Sequence, residues 1–286
     1  MIKVDFAIID AFTNQPFSGN PAATVLVDEF PPDAWMQSLA AEINLSETSF
    51  AKPLPDQGIN HFQLRWFTPT REVPLCGHAT LAMAYYLYTR QAVNLDLPVI
   101  FHTLSGRLTI TYQIKEQTAN VQIIMDFPSV KLQDCDQKSV SILTQIFANQ
   151  LTQTHTILGM ADEYLLVLLP TAKDVAGFIP DFGLISQLAG FGFIITAIAD
   201  VADEWDFVSR FFAPKAGINE DPVTGSAHCS LTPYWCERLG QNKLKAKQIS
   251  ARSGNLEVTH CDERVLLAGE AVMVIKGQTL GDISSL

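Results

Sequence analysis

One stretch of this chain occurs twice. Phe62, Arg65, Phe67 and Pro69 recur 145 positions later as Phe207, Arg210, Phe212 and Pro214, with Phe211 in the place of Trp66. After an insertion of three residues the spacing becomes 148, and Gly77, Ala79, Tyr86 and Arg90 recur as Gly225, Ala227, Tyr234 and Arg238. The same spacing carries on to Ser105, Gly106 and Leu108, repeated as Ser253, Gly254 and Leu256. Matches that keep one order with one insertion identify a diverged duplication rather than scattered coincidence. A chain of 286 residues built in this way is expected to fold as two similar halves, and the connector-like composition after Pro128 sets them at 1–128 and 129–286.

Each copy of the repeat runs from an aromatic strand end, through a glycine-containing loop, into a helix that is apolar nearly all round, as in GHATLAMAYYL from Gly77. A helix without a polar face is buried, so its N-terminus opens toward the protein interior with N–H groups that need partners. A glycine at such an end lets a carboxylate or phosphate come close, where the helix dipole favours it. The plainer reading is a capped core helix after a tight turn. Around the helices, alternating β-branched segments such as VDFAIIDAF, TITYQ and RVLLAGEAVMVI read as strands. Pro31-Pro32-Asp33 opens a helix that Asn44 ends in the left-handed conformation. Pro233 is expected to disturb the second buried helix near Cys229. The predicted class is α+β, with a strand-rich sheet accompanying one long apolar helix in each half.

With 48% hydrophobic and 17% charged residues the chain can bury a large core. A net charge of −11 argues against nucleic acid or an anionic membrane as partner, while leaving room for a small anion in a local pocket. Five cysteines without a CxxC pair suit reduced thiols in a cytoplasm, and the six histidines show no metal-ligand spacing. Neither a GxGxxG after a strand nor a GxxxxGK is present, so no nucleotide or other cofactor is expected. No apolar run reaches the roughly eighteen residues of a spanning helix.

Two duplicated loops, Cys76-Gly77-His78 and Asp221 to Ser226, are expected to serve one cleft. Cys76 precedes a helix N-terminus, which favours a thiolate, although buried inert cysteines are commoner. His78 is an acid/base group or a donor to a loop carbonyl. Asp221 is a turn aspartate or, four residues ahead of the repeated Gly225, a functional one, and it outranks Glu220. Thr224 and Ser226 read as capping or anion-contacting hydroxyls. Glu47, taken by itself, reads as a surface acid.

The segments FSGNPAA, LSETSF, RWFTPTREVPLCGHAT and FFAPKAGINEDPVTGSAHC resemble, in order and as far as about Gly254, the phenazine-biosynthesis isomerase (PhzF-like) family. That resemblance implies a diaminopimelate epimerase-like fold, in which each domain is a mostly antiparallel barrel-like sheet around a central helix, and it implies a homodimer. It assigns the family's catalytic glutamate to Glu47, its active-site histidine to His78 and its loop aspartate to Asp221, with Gly77, Gly225 and Ser226 at substrate-holding positions beside Cys76. Two departures stand out. Epimerases of this fold oppose two thiols, whereas this chain has Cys76 at one loop and Asp221 at the other; the phenazine isomerases proper have no thiol at the Cys76 position.

The sequence therefore points to a cofactor-independent isomerase that moves a proton between carbons of a small carboxylate by acid/base catalysis. The alternatives are an amino-acid racemase or epimerase with Cys76 as one base, and a non-catalytic binding protein for small carboxylates.

Overall fold

A computed structural model describes residues 3–115, 120–148, 150 and 155–279. The fold is α+β, as the sequence pattern requires, and mostly strand. It contains two compact units: one comprises the described residues up to Asp126 and those from Leu267 onward, and the other Phe127–Leu266.

The first unit runs β1 (Asp5–Ala11), β2 (Asn20–Leu26), α1 (Asp33–Ile43), β3 (Thr48–Pro53), β4 (His61–Phe67), β5 (Glu72–Val73), α2 (Gly77–Thr89), β6 (Val99–Thr103), β7 (Gly106–Ile114) and β8 (Val121–Pro128). After α3 (Gln137–Phe147) the programme repeats as β9 (Thr156–Ala161), β10 (Tyr164–Leu168), α4 (Ala172–Gly177), α5 (Phe182–Ile185), β11 (Gly192–Ile198), β12 (Phe207–Ala213), β13 (Ile218–Asp221), α6 (Gly225–Leu239), β14 (Lys243–Gln248) and β15 (Gly254–Cys261). β16 (Arg264–Gly269) and β17 (Ala271–Gln278) are the last elements among the described residues.

Strand pairing repeats as the sequence does. β1 is antiparallel to β2, β2 parallel to β3, β3 antiparallel to β4, β4 antiparallel to β5 and parallel to β6, and β6 antiparallel to β7. The series from β9 to β15 makes the same six pairings with the same directions. The sequence places one cut near Pro128 and runs the second half to residue 286. In the structure β17 lies antiparallel to β1, with Ala11 opposite Ala271 and Asp5 opposite Gln278, so the chain re-enters the first unit. That pairing covers a row of backbone groups which β1 would otherwise expose as a sheet edge.

The two apolar helices form as their sequences dictate. In α2, Ala79 to Ala84 are buried without interruption, together with Tyr86 and Leu87, and the helix packs against β1, β2, β3 and β17. Burying each of Leu81, Met83 and Leu87 stabilises the fold by about 1.5–3 kcal/mol. A Cβ at Gly269 would come within 2.8 Å of Leu81 Cδ1 and 2.6 Å of Phe12 Cδ1, so the bare backbone there lets the core close. Helix α6 runs through Pro233, whose missing N–H deprives the Cys229 carbonyl of its helical partner. Val130 N donates to that carbonyl instead, at 3.0 Å, so the group freed by proline is satisfied. Helix α1 ends at Asn44, at φ 55°, whose N–H returns to the Ala40 carbonyl.

Candidate active site

In the first unit the site is assembled at the N-terminus of α2. Cys76 is the extended residue ahead of the helix and its side chain caps nothing. Gly77 and His78 form the first turn. His78 is 6% exposed, and its ring meets groups from three parts of the chain. Nδ1 lies 3.2 Å from Asn20 Nδ2 and 3.6 Å from Cys76 Sγ; Nε2 lies 3.2 Å from Glu47 Oε2. An amide nitrogen only donates, so Nδ1 accepts and the ring proton sits on Nε2, facing the glutamate. Burial pushes the imidazole down to about 3, so it is neutral at ordinary pH. The Nε2–Glu47 approach is close but not a straight hydrogen bond.

Backbone geometry accounts for this convergence. Gly19 has φ +66°, and a Cβ there would lie 2.2 Å from the Ala11 carbonyl, so only glycine makes the turn that delivers Asn20 to the start of β2. Asn20 is fully buried. Glu47 precedes β3, where its carbonyl accepts from Ala23 N of β2 at 3.3 Å. Its side chain is only 13% exposed, which corrects the surface reading that Glu47 invites in isolation. Glu47, Cys76 and His78 bring an oxygen, a sulfur and a nitrogen within 4.8 Å of one another, a donor set that a metal ion could accept. The donation from Asn20 to Nδ1 and the ring proton facing Glu47 fit a hydrogen-bonding imidazole better than a ligating one.

In the second unit the corresponding place is the N-terminus of α6. Asp221, at the end of β13, is buried, and its Oδ2 accepts a short hydrogen bond from Thr224 Oγ1. Gln248 of β14 ties the same turn together: its Oε1 accepts from Thr224 N at 2.9 Å, and its Nε2 donates to the Asp221 carbonyl at 2.8 Å and to Thr224 Oγ1 at 3.2 Å. Thr224 therefore orients the aspartate, and its side chain makes no capping bond to the helix. Ser226 Oγ lies 2.9 Å from Tyr164 Oη. His228 Nδ1 donates to the Thr224 carbonyl at 2.8 Å, and burial pushes this imidazole down to about 4. Cys229 is buried within the helix and its thiol is pushed up to about 12.

Glu220, next to Asp221, has different partners. Glu220 holds Arg210 with two bonds of 2.7 and 2.9 Å, just as Glu72 holds Arg65, the other copy of that arginine, with two of 2.7 Å. Glu220 is thus committed to a duplicated ion pair. Of the residues singled out from sequence, Glu47, Cys76, Gly77 and His78 come together in the first unit and Asp221, Gly225 and Ser226 in the second. Sequence reasoning passed over Asn20, Gln248 and Tyr164. Asn20 lies inside the FSGNPAA segment and could have been found there; nothing in the linear sequence marks the other two.

Residues 9–277 match the family described as phenazine biosynthesis-like protein. The chain belongs to that family. An isomerase of Halalkalibacterium halodurans with no further characterisation is 38% identical over 287 residues, covering 98% of this chain and all of the relative. The crystal structure of a PhzF-family phenazine biosynthesis protein of Enterococcus faecalis is 37% identical with a TM-score of 0.83, over 97% of this chain and 99% of that one. A probable proline racemase of Agrobacterium radiobacter, crystallised with carbonate, is 10% identical with a TM-score of 0.62 over 99% of this chain and 94% of its own, a likeness of fold alone. The fold is accordingly diaminopimelate epimerase-like, and the phenazine biosynthesis-like family places the chain among isomerases.

Proposed function

We propose that this isomerase moves a proton between carbons of a small carboxylate without a cofactor, with Glu47 as the acid/base. The observation that carries the reading is the Glu47 carboxylate beside a neutral, buried His78 at the N-terminus of α2. In the forward direction a C–H bond of the substrate breaks, its proton passes to a Glu47 oxygen, and the electron pair delocalises toward an electron-withdrawing group of the substrate. N–H groups of α2 around Gly77 stabilise the charge that develops, and the Nε2–H of His78 holds the reacting partners in line. Glu47 then returns the proton to a different carbon, which conserves atoms and charge. Asp221 assists, while Cys76, Gly77, Gly225 and Ser226 hold the substrate.

A second reading, a racemase or epimerase with Cys76 as one base, is favoured by the 3.6 Å approach of Cys76 Sγ to His78 Nδ1. It needs a second base on the opposite face. The thiol at the α6 end does not fit that role, since Cys229 is buried and its pKa is raised. The test is proton NMR in D2O on a panel of cyclic amino and hydroxy carboxylates. Deuterium entering at one carbon as a double bond or proton shifts to another supports the isomerase; exchange confined to one stereocentre, accompanied by its inversion, supports the racemase.

A further inference from the structure

The duplication lets the two helix ends be aligned residue by residue through strand register. Phe67 of β4 faces Thr48 of β3, and its counterpart Phe212 of β12 faces Phe193 of β11. Thr48 therefore corresponds to Phe193, and the preceding Glu47 corresponds to Gly192. In the neighbouring strands Ala23 lies beside Thr48 and Leu165 beside Phe193, so Ala22 corresponds to Tyr164. The spacing of 148 pairs His78 with Ser226.

In the first unit the second residue of the helix, His78, meets a carboxylate from the Glu47 position. In the second unit the Glu47 position holds no side chain, and the adjacent strand fills the space. A Cβ at Gly192 would lie 2.7 Å from Tyr164 Cδ1 and 2.7 Å from Phe211 Cζ, so glycine is what admits the tyrosine ring. Phe211 and Phe191 hold that ring edge-on, with centroids 5.1 and 5.3 Å away. The hydroxyl that results ends 2.9 Å from Ser226 Oγ, both residues being only partly buried. Burial raises the Tyr164 pKa, so the phenol keeps its proton.

Two hydroxyls that share one hydrogen bond have one O–H left to give. We propose that Tyr164 is a positioning residue that, with Ser226, forms a single hydroxyl unit donating this O–H to an oxygen of the carboxylate substrate. Tyr164 sets the direction of the donation. Where the first helix end received an acid/base pair, the second received a binding pair. The inference rests on the proposed isomerase reading, in which Ser226 holds substrate.

The experiment is the D2O exchange screen, with trans-4-hydroxy-L-proline and shikimate in the panel, run on the intact chain. Kinetic constants are then measured on the compound that the natural protein exchanges fastest. Tyr164→Phe keeps the ring packed and is expected to raise KM about tenfold, the usual effect of one lost hydrogen bond, with kcat within about threefold and thermal unfolding unchanged. Ser226→Ala is expected to act similarly, and the double variant to be no worse than Ser226→Ala alone, because the two act as a unit. A KM within about twofold of the natural protein for Tyr164→Phe, or losses that multiply in the double variant, overturns the inference and leaves the isomerase reading standing. If the natural protein exchanges no compound in the panel, the isomerase reading fails and the inference falls with it.

Discussion

The N-termini of α2 and α6 began as copies and now differ in kind. At α2 the polar groups converge from a distance in sequence: Asn20 and Glu47 reach His78 from separate strands, leaving a carboxylate, a thiol and an imidazole side by side. At α6 the aspartate is enclosed, gripped by Thr224 and tied through Gln248 into its own turn, and beside it lie the paired hydroxyls of Ser226 and Tyr164. The sheet pairings behind the two ends are the same six in the same directions, so divergence has worked on side chains over a retained frame. On the proposed reading, proton-moving chemistry belongs to the first end, and orientation and binding to the second.

That division breaks if the wrong end proves sensitive. Glu47→Gln preserves size and is expected to lower turnover about 10²–10⁴-fold, the loss typical of a missing acid/base, with unfolding temperature unchanged. A near-normal rate constant would move the chemistry away from α2. Asp221→Asn sharpens the contrast: because Thr224 and Gln248 bond to it, the change should cost less, on the order of tenfold to a hundredfold, and show mainly in KM. Loss confined to kcat would instead make Asp221 a second proton-transfer group.

Stability offers a test of what the two ends share, a buried neutral imidazole. His78 is held at about 3 and His228 at about 4, against 6.5 for the free side chain. Both folded values are depressed, so the folded chain binds fewer protons than the unfolded one once the pH falls below 6.5. Their full contribution to stability is present above that value and is lost on descending toward 4 and 3. Between neutrality and about pH 5 each histidine should cost up to ~2 kcal/mol. Urea unfolding at both pH values checks it, and His228→Asn, whose amide nitrogen stands where Nδ1 does and can still donate to the Thr224 carbonyl, should flatten part of the dependence. The smallest effect is expected from Cys76→Ser, with activity within about threefold of the natural protein, since a hydroxyl still serves for binding although it is a poor base. An inactive Cys76→Ser beside an active Glu47→Gln would hand the reaction to the thiol.

How much of this could be read in advance depends on distance along the chain. Helix α1 with its Asn44 terminator, the two apolar helices and most of the longer strands follow from local spacing, because an i, i+3, i+4 or i, i+2 pattern is written within one segment. The short strand β14, KLKAKQ, escapes such reading: its charged residues alternate with Leu244 and Ala246 too briefly to stand out, yet it places Gln248 under Asp221. Motif resemblance carried the reading to Glu47, His78 and Asp221, but not to the groups that orient them.

By itself the sequence determined that the chain is a duplication, that each half encloses an apolar helix, and that a glycine opens each helix, since these rest on repeats and periodicities internal to short stretches. Only the tertiary structure decided that β17 returns to β1, that Asn20 sets the tautomer of a histidine 58 residues away, and that Tyr164 takes the space left by Gly192 to reach a serine 62 residues away. Those choices rest on strand register, in which a shift of one residue would turn each side chain to the other face of the sheet, and register is settled by pairing with distant segments.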